Sequence, residues 1–168
     1  MTQKAKILVL NHHQIQQKIT RIAFEIYERN AGEKQLTIAG LNGMGYVFAE
    51  LMVAKLKEIA SFDVQLIKVE LDKSNPKIEE VILSPHEPLE RKSIILVDDV
   101  LNTGKTLAFA MVPFLALGVK KMEVLVFVNR SHKLFPVAAD YTGYELATTL
   151  SEHITVNLDP KASTVHLH

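Results

Sequence analysis

The stretch IILVDDVLNTGKT, Ile94 to Thr106, decides the fold. Four aliphatic residues lead into two adjacent aspartates, Asp98 and Asp99, and the run ends in Gly-Lys-Thr. The continuous apolar run from Ser93 to Val97 predicts a strand buried on both faces, which is typical of a parallel sheet. Such a strand leads to the carboxyl edge of the sheet, where open α/β sheets bind their ligands.

The Gly-Lys-Thr ending is shared with the P-loop of ATP-binding proteins, but the spacing does not fit a P-loop. That loop needs the pattern Gly-x-x-x-x-Gly-Lys-Ser/Thr, and counting back from Gly104 places Asp99 at the first glycine. An aspartate there lacks the conformational freedom of glycine and brings negative charge beside the phosphates. The sequence therefore excludes this kind of ATP site.

The same residues suit a ribose 5-phosphate. Backbone N–H groups at the start of a helix, with the hydroxyls of Thr103 and Thr106, predict a cradle for a terminal phosphate. The carboxylates of Asp98 and Asp99 can accept hydrogen bonds from vicinal ribose hydroxyls or orient a hydrated Mg²⁺. Capping of the next helix is the alternative role for these aspartates, and it accounts for one of them but not both.

The N-terminal half of the sequence alternates helices and strands. Apolar residues at helical spacing predict a first helix from Asn11, its N-cap, to Arg29. Leu36–Gly40 predicts a strand, which a glycine-rich turn joins to a helix over Tyr46–Ile59. Phe62–Leu71 predicts a further strand, which completes a βαβ unit.

The C-terminal half continues this alternation. Thr106–Leu117 predicts a helix and Met122–Val128 a buried strand. Ile154–Leu158 and Thr164–Leu167 predict two short strands, and Val81–Leu83 predicts another within a polar stretch. Strands that alternate with helices predict an α/β protein with a mostly parallel sheet.

Composition narrows the function further. The chain has 168 residues, 48% of them apolar and 23% charged, which predicts a single domain over 1–168. Lys plus Arg and Asp plus Glu both count 19, so the basic excess typical of DNA-binding and RNA-binding proteins is missing. The sequence has no cysteine and no long apolar run, and we expect a cytoplasmic protein that does not associate with membranes.

The central motif resembles that of the type I phosphoribosyltransferases, whose phosphate loop reads Thr-Gly-x-Thr, as Thr103–Thr106 does. Similarity to one branch covers nearly the whole chain, through KITRIAFEIYERN (Lys18–Asn30), VNRSHKLFPVAADYTG (Val128–Gly143) and LSEHITVNLD (Leu150–Asp159). That branch is the family of bifunctional pyrimidine-operon attenuators and uracil phosphoribosyltransferases.

The resemblance implies a three-layer fold with a central, mostly parallel sheet flanked by helices. It implies a mobile loop over 72–91, and a small hood with the closing strands over 129–168. The expected activity is transfer of phosphoribose from phosphoribosyl pyrophosphate (PRPP) to a nucleobase, with a uracil-like pyrimidine favoured and with release of pyrophosphate. The expected partners are PRPP, a nucleobase or nucleoside monophosphate, and further copies of the chain in a homodimer or larger homo-oligomer.

The resemblance also implies a role for each part of the site. No residue is expected to bind a metal directly, because Mg²⁺ arrives with PRPP. The residues expected to be catalytic are Asp98, Asp99 and Lys73. The ribose and 5-phosphate are expected to contact Asp98, Asp99, Val100, Leu101, Asn102, Thr103, Gly104, Lys105 and Thr106. The pyrophosphate is expected to contact Leu41, Asn42, Gly43, Met44 and Gly45, and the base to contact Asn129, Arg130, Ser131, His132 and Lys133.

The sequence departs from the family pattern at several places. Met44 stands where the family's pyrophosphate loop has an arginine. In the loop that closes over PRPP, the family has another arginine, and Lys73 is the cation of this chain that could supply its charge. Phe24 and Ala138 replace basic or histidine residues of the family's RNA-contacting surface. A non-enzymatic sensor of PRPP or a nucleotide is therefore the chief alternative to an enzyme, and we do not expect RNA-dependent attenuation.

Overall fold

The computed structural model describes residues 5–149 and 151–168 of the chain. Leu150, the first residue of the LSEHITVNLD segment, lies outside the described residues. The helices are α1 (His12–Asn30), α2 (Met44–Ile59) and α3 (Lys105–Ala116), with a 3₁₀ turn at Ile78–Glu80. The strands are β1 (Ile7–Leu10), β2 (Gln35–Leu41), β3 (Asp63–Glu70), β4 (Ile82–Ser84), β5 (Ser93–Leu101), β6 (Lys121–Asn129), β7 (Tyr141–Glu145), β8 (Ile154–Asn157) and β9 (Thr164–Leu167).

Six of the strands form the central sheet, in the order β4-β3-β2-β5-β6-β7. Every neighbouring pair is parallel except β3 and β4, which are antiparallel. The prediction of a mostly parallel sheet is confirmed, and so is the short strand predicted near 81–83. The 72–91 segment also contains a 3₁₀ turn, and its mobility stays a prediction.

The remaining strands form a small antiparallel sheet in the order β1-β9-β8, which is the hood. Its last two strands match those predicted from the sequence at the C-terminal end. Two features differ from the expectation: β1 enters the hood from the N-terminal side, and β7, within the 129–168 segment, joins the central sheet. Neither β1 nor β7 was predicted as a strand.

Helices cover both faces of the central sheet, which explains its continuous apolar strands. Ile38 of β2 and Ile95 of β5 belong to the core that packs against α1 and α2. Ile94 and Leu96 point to the other face and belong to the core under α3. Because successive residues of a strand point to opposite faces, a strand covered on both sides needs apolar residues at every position.

A capping box fixes the start of α1 where the sequence predicted it. The Asn11 side chain accepts a hydrogen bond from the Gln14 N–H at 3.0 Å, and the Gln14 side chain accepts one from the Asn11 N–H at 2.9 Å. The two bonds satisfy amides that the first turn of the helix leaves without partners. The predicted apolar face of α1 is buried and shares a core with residues of α2.

The connections diverge between β2 and β5. The β2–α2–β3 unit crosses one face of the sheet, and the β5–α3–β6 unit crosses the other. Pairing of β2 with β5 ends at Gly40 and Val97, whereas pairing of β5 with β6 runs on to Leu101 and Asn129. A crevice therefore opens beside the last residues of β5, at the kind of switch point where α/β proteins bind ligands.

Strand β7 depends on a close approach at Gly143. An added Cβ there would lie 2.6 Å from the backbone oxygen of Phe127 and 3.0 Å from its ring Cδ2. Phe127 is fully buried in β6, so neither group has room to move away. The missing side chain at Gly143 therefore lets β7 lie against β6.

This contact predicts a selective loss of stability. We expect Gly143→Ala to lower the free energy of unfolding by about 1–3 kcal/mol, because it overpacks a filled space. Urea unfolding measures the change. Gly32→Ala is the matched control, since an added Cβ there meets nothing within 4 Å, and we expect a change within about 0.5 kcal/mol. Equal effects of the two substitutions would contradict the close approach.

Candidate active site

A cavity of about 310 Å³ lies at the carboxyl edge of the central sheet, beside the end of β5. Its lining is the continuous run from Asp98 to Leu107, joined by Lys73 from the loop after β3 and by Ile154 from the hood. All nine residues predicted to hold the ribose and 5-phosphate therefore line one cavity. The hood residue Ile154 was not predicted, because its position depends on pairing within a separate sheet.

The acidic pair lies within β5 and not after it. The sequence predicted a strand ending at Val97, but the ladder with β6 continues to Leu101 and carries both aspartates with it. The Asp98 side chain is only 7% exposed, while Asp99 is half-buried. The pair therefore combines a buried carboxylate with one that solvent reaches.

The buried carboxylate is held by two donors. Lys73 Nζ donates to Asp98 Oδ1 at 2.9 Å, and the Asp99 backbone N–H donates to the same oxygen at 2.9 Å. Burial, which is the largest cause, and the neighbouring charge of Asp99 together raise the pKa of Asp98 to about 7, against the lowering effect of Lys73. Asp98 can therefore change its protonation state near neutral pH.

Gly45 packs directly against this carboxylate. A Cβ added at Gly45 would lie 2.8 Å from Asp98 Oδ1 and 3.1 Å from its Cα. A side chain at this position would displace Asp98 from its two donors. The glycine at the start of α2 thus fixes the position of the acid on β5.

The phosphate loop turns the chain from β5 into α3. Gly104, with φ of +83°, precedes the first helical residue, Lys105, whose N–H donates to the Thr103 hydroxyl at 3.2 Å. The Thr103 carbonyl accepts from the N–H groups of Leu134 and Phe135 at 2.8 and 3.0 Å. The loop is thus fixed by its neighbours, and the first helical residues, Lys105 and Thr106, line the cavity, at the kind of helix start where anions bind.

The predicted pyrophosphate loop lies behind the acidic pair. None of the five described residues from Leu41 to Gly45 lines the cavity. Asn42 ties the loop to the end of β3, because its side chain accepts from the Leu71 N–H at 3.3 Å. Met44 begins α2, and its sulfur lies 3.4 Å from the Leu158 N–H of the hood.

The predicted base-binding run, Asn129–Lys133, mainly contacts protein groups. Arg130 is buried, His132 lies 2.7 Å from the Thr148 carbonyl oxygen, and Lys133 is exposed. None of these five described residues lines the cavity, although Arg130 donates to Asn102, which does. A contact between this run and a base stays a prediction.

Within 5–149 and 151–168, no group of three or more His, Cys, Asp or Glu side chains could hold a metal ion. Asp98 and Asp99 are the carboxylates that face the cavity, so they are the groups that could contact a cation brought by a ligand. In the same part of the chain, no helix is long and apolar enough to span a bilayer.

Comparison with known proteins agrees with this geometry. The sequence model of the family described as "Phosphoribosyl transferase domain" matches residues 8–161 of the chain. The Deinococcus deserti protein named "Bifunctional protein PyrR" is 34% identical over 164 residues, which cover 91% of this chain and 88% of the relative. A Clostridium acetobutylicum protein of the same name is 34% identical over 166 residues, which cover 94% of this chain and 92% of the relative.

Solved structures share the fold at lower identity. A hypoxanthine phosphoribosyltransferase of Trypanosoma cruzi superposes with a TM-score of 0.74 at 14% identity, covering 84% of this chain and 78% of that one. A hypoxanthine-guanine phosphoribosyltransferase of Bacillus anthracis superposes with a TM-score of 0.71 at 21% identity, covering 90% of this chain and 86% of that one. The predicted three-layer fold is confirmed, and the chain belongs to the type I phosphoribosyltransferase family, where it is related to the PyrR proteins.

Proposed function

We propose that this protein transfers the phosphoribosyl group of PRPP to a nucleobase, a uracil-like pyrimidine, and releases pyrophosphate. The observation that carries the proposal is one cavity in which the carboxylates of Asp98 and Asp99 continue directly into the Thr103–Thr106 phosphate loop. A ribose 5-phosphate presents hydroxyls at one end and a phosphate at the other, so it matches both halves of the cavity. The pyrimidine preference rests on the relation to the PyrR proteins.

The reaction breaks the bond between the ribose C1 atom and a pyrophosphate oxygen and forms a bond from C1 to a ring nitrogen of the base. The nitrogen loses its proton to solvent, and pyrophosphate leaves with the bonding electron pair. Positive charge develops on the sugar ring in the transition state. Asp98 and Asp99, which accept hydrogen bonds from the ribose hydroxyls, place negative charge next to that ring and stabilise it.

Lys73 is the cation placed to meet the leaving group. Its ammonium group lies on Asp98 in the free protein, and its side chain is about one-third exposed. A lysine is a flexible point charge, so it can move from the carboxylate to pyrophosphate oxygens while its loop closes. We infer that it offsets the negative charge that pyrophosphate acquires as the C1–O bond breaks.

Magnesium fits this site as a companion of PRPP. The cavity offers the carboxylates of Asp98 and Asp99, and Lys73 already occupies one of them, which leaves too few oxygen ligands for a site made of protein groups alone. When bound with PRPP, the ion neutralises charge on the pyrophosphate. The protein's own part is to orient the ribose beside it.

A nucleotide sensor is the second candidate function, and Met44 favours it. Its sulfur packs near the Leu158 N–H, so an apolar group fills the place of the arginine that the family resemblance predicts. A missing charge-assisted hydrogen bond is worth roughly 1.5–3 kcal/mol, and that loss falls on pyrophosphate contacts and not on ribose contacts. Such a site can still bind a nucleotide while its turnover is slow.

The structure gives RNA binding little support. Lys18 lies over the ring of Tyr144 at 5.2 Å, and Arg21 donates to the carbonyls of Thr142 and Gly143 at 3.0 and 3.2 Å. These cations of α1 are already engaged within the protein. With no net charge, the chain also has little of the phosphate neutralisation that drives RNA binding.

Isothermal titration and a turnover assay test the proposed function together. We expect PRPP to bind in the presence of Mg²⁺, UMP to bind the same site competitively, and pyrophosphate to appear when uracil is added. Binding of both ligands without pyrophosphate release over a panel of bases would favour the sensor. Absence of binding by either ligand would overturn both candidate functions.

The role of Lys73 predicts a defect in the chemical step. We expect Lys73→Met to lower the pyrophosphate-release rate at saturating PRPP about tenfold or more, because a cation that meets the leaving group is lost. Lys77→Met is the matched control, since Lys77 lies in the same loop and pairs on the surface with Glu80 at 2.9 Å. Equal rates for the two variants would remove Lys73 from the mechanism.

The raised pKa of Asp98 predicts a pH-dependent stability. Its ordinary pKa is 3.8 and its folded pKa is about 7, so the folded protein binds the extra proton between these values. Stability from the protonated carboxyl is therefore fully present below pH 3.8 and is lost progressively as pH rises from 3.8 to about 7.

We expect Asp98→Asn, a neutral analogue, to melt like the wild type only below the unfolded pKa, at about pH 3.5, and at least about 3 °C above it at pH 8. Scanning calorimetry between these pH values measures the difference. Asp159→Asn, at an exposed turn, should follow the wild type throughout. A wild type that melts above Asp98→Asn at pH 8 would show that burial does not dominate the pKa of this carboxyl.

A further inference from the structure

The Arg130 guanidinium is buried and donates hydrogen bonds to four protein oxygens. Only 8% of the residue is exposed. Its Nε donates to the Thr148 hydroxyl at 3.0 Å, and one terminal nitrogen donates to the carbonyls of Thr149 and Glu152 at 3.4 and 2.6 Å. The other terminal nitrogen donates to Asn102 Oδ1 at 2.9 Å. Arg130 therefore contacts the ligand cavity through Asn102 and not directly.

The bond from Arg130 fixes which way the Asn102 amide faces. A guanidinium has only donors, so the oxygen of the amide must face Arg130 and the NH₂ group must face away. Asn102 is exposed and lines the cavity. Among residues 5–149 and 151–168, Asn102 Nδ2 donates no hydrogen bond to another protein group. The cavity thus receives a pair of oriented, unused donors.

The position of Asn102 relates these donors to the base. Asn102 stands between the acidic pair and Thr103, so the ribose and phosphate sites bracket it in the chain. Through Arg130 it is joined to the Thr148–Glu152 segment, which leads into Ile154 of the hood, a residue of the same cavity. When the ribose and phosphate occupy their sites, the base is the part of a nucleotide left to meet this side of the cavity.

We propose that Asn102 determines base specificity by donating its amide N–H to the exocyclic carbonyl at position 4 of a pyrimidine, and that Arg130 is the positioning residue that orients this amide. The inference rests on the proposed function, since it assumes a nucleotide in the cavity. A carbonyl accepts this hydrogen bond, whereas an amino group would leave two donors facing each other without partners. Uracil is therefore accepted in preference to cytosine.

Asn102→Asp tests the proposal by reversing the group that faces the base. One carboxylate oxygen still accepts from Arg130, while the other offers an acceptor in place of a donor. Isothermal titration with UMP, CMP and ribose 5-phosphate measures three affinities. We expect the wild type to bind UMP about tenfold or more tightly than CMP, and Asn102→Asp to lower this ratio at least about tenfold.

Two further variants separate the orienting effect of Arg130 on the Asn102 amide from an unspecific loss of ligand binding. Asn11→Asp adds the same charge at the N-cap of α1, where aspartate caps as well as asparagine, and should leave the UMP-to-CMP ratio unchanged. Arg130→Lys loses the fixed fork and frees the amide to rotate, so the ratio should approach one while ribose 5-phosphate binds as in the wild type. A purely structural role for Arg130 would instead weaken all three ligands alike.

The outcomes distinguish this inference from the proposed function. If ribose 5-phosphate does not bind the wild type, the proposed function is wrong and the inference falls with it. If ribose 5-phosphate binds but the wild type does not discriminate UMP from CMP, or Asn102→Asp leaves the ratio unchanged, the inference alone is overturned. If Arg130→Lys does not fold, the Asn102→Asp result still decides the role of the amide.

Discussion

The ladder between β5 and β6 is the constraint on which the site depends. It continues to Leu101 and Asn129, whereas the ladder between β5 and β2 stops at Val97. The extra pairing carries Asp98 into the protein as part of a strand, and the missing pairing on the other side opens the crevice next to it. A buried carboxylate and an open cavity at one point of the chain are thus two consequences of the same unequal pairing.

Gly45 and Lys73 adapt the surroundings to that buried acid. The glycine leaves room for the Asp98 carboxyl at the start of α2, and the lysine supplies the positive charge that a buried carboxylate needs. The pKa of Asp98 is nevertheless raised, because desolvation outweighs the attraction of a partly exposed cation. Binding of a ligand that replaces Lys73 at this oxygen changes the same balance, which links occupancy of the site to its charge.

Contiguous features of the site could be predicted from the sequence, and features that depend on distant contacts could not. The strand, the acidic pair and the Thr103–Thr106 loop follow one another, so local patterns sufficed. The end of β5 was placed too early, because two aspartates are poor strand formers and only pairing with β6 holds them there. Strand β1 was missed because it has only four residues and pairs with the distant β9. Strand β7 was missed because Gly143 weakens its strand pattern.

Arg130 shows how such distant contacts change an interpretation. The sequence places it in a run that resembles a base-binding loop, while its partners Asn102 and Thr148 lie 28 positions before it and 18 positions after it. No local pattern reports that the guanidinium is enclosed, so its role could only be assigned to the nearest family motif. With its position known, the arginine ties the hood to the end of β5 and leaves the cavity to Asn102. In the proposed function, contacts with the base and contacts with the pyrophosphate depend on separate groups. Arg130 orients the first, and Lys73 supplies the second, because Met44 stands where the family pattern has an arginine. A site divided in this way can keep its selectivity for a nucleotide while the rate of pyrophosphate release changes independently.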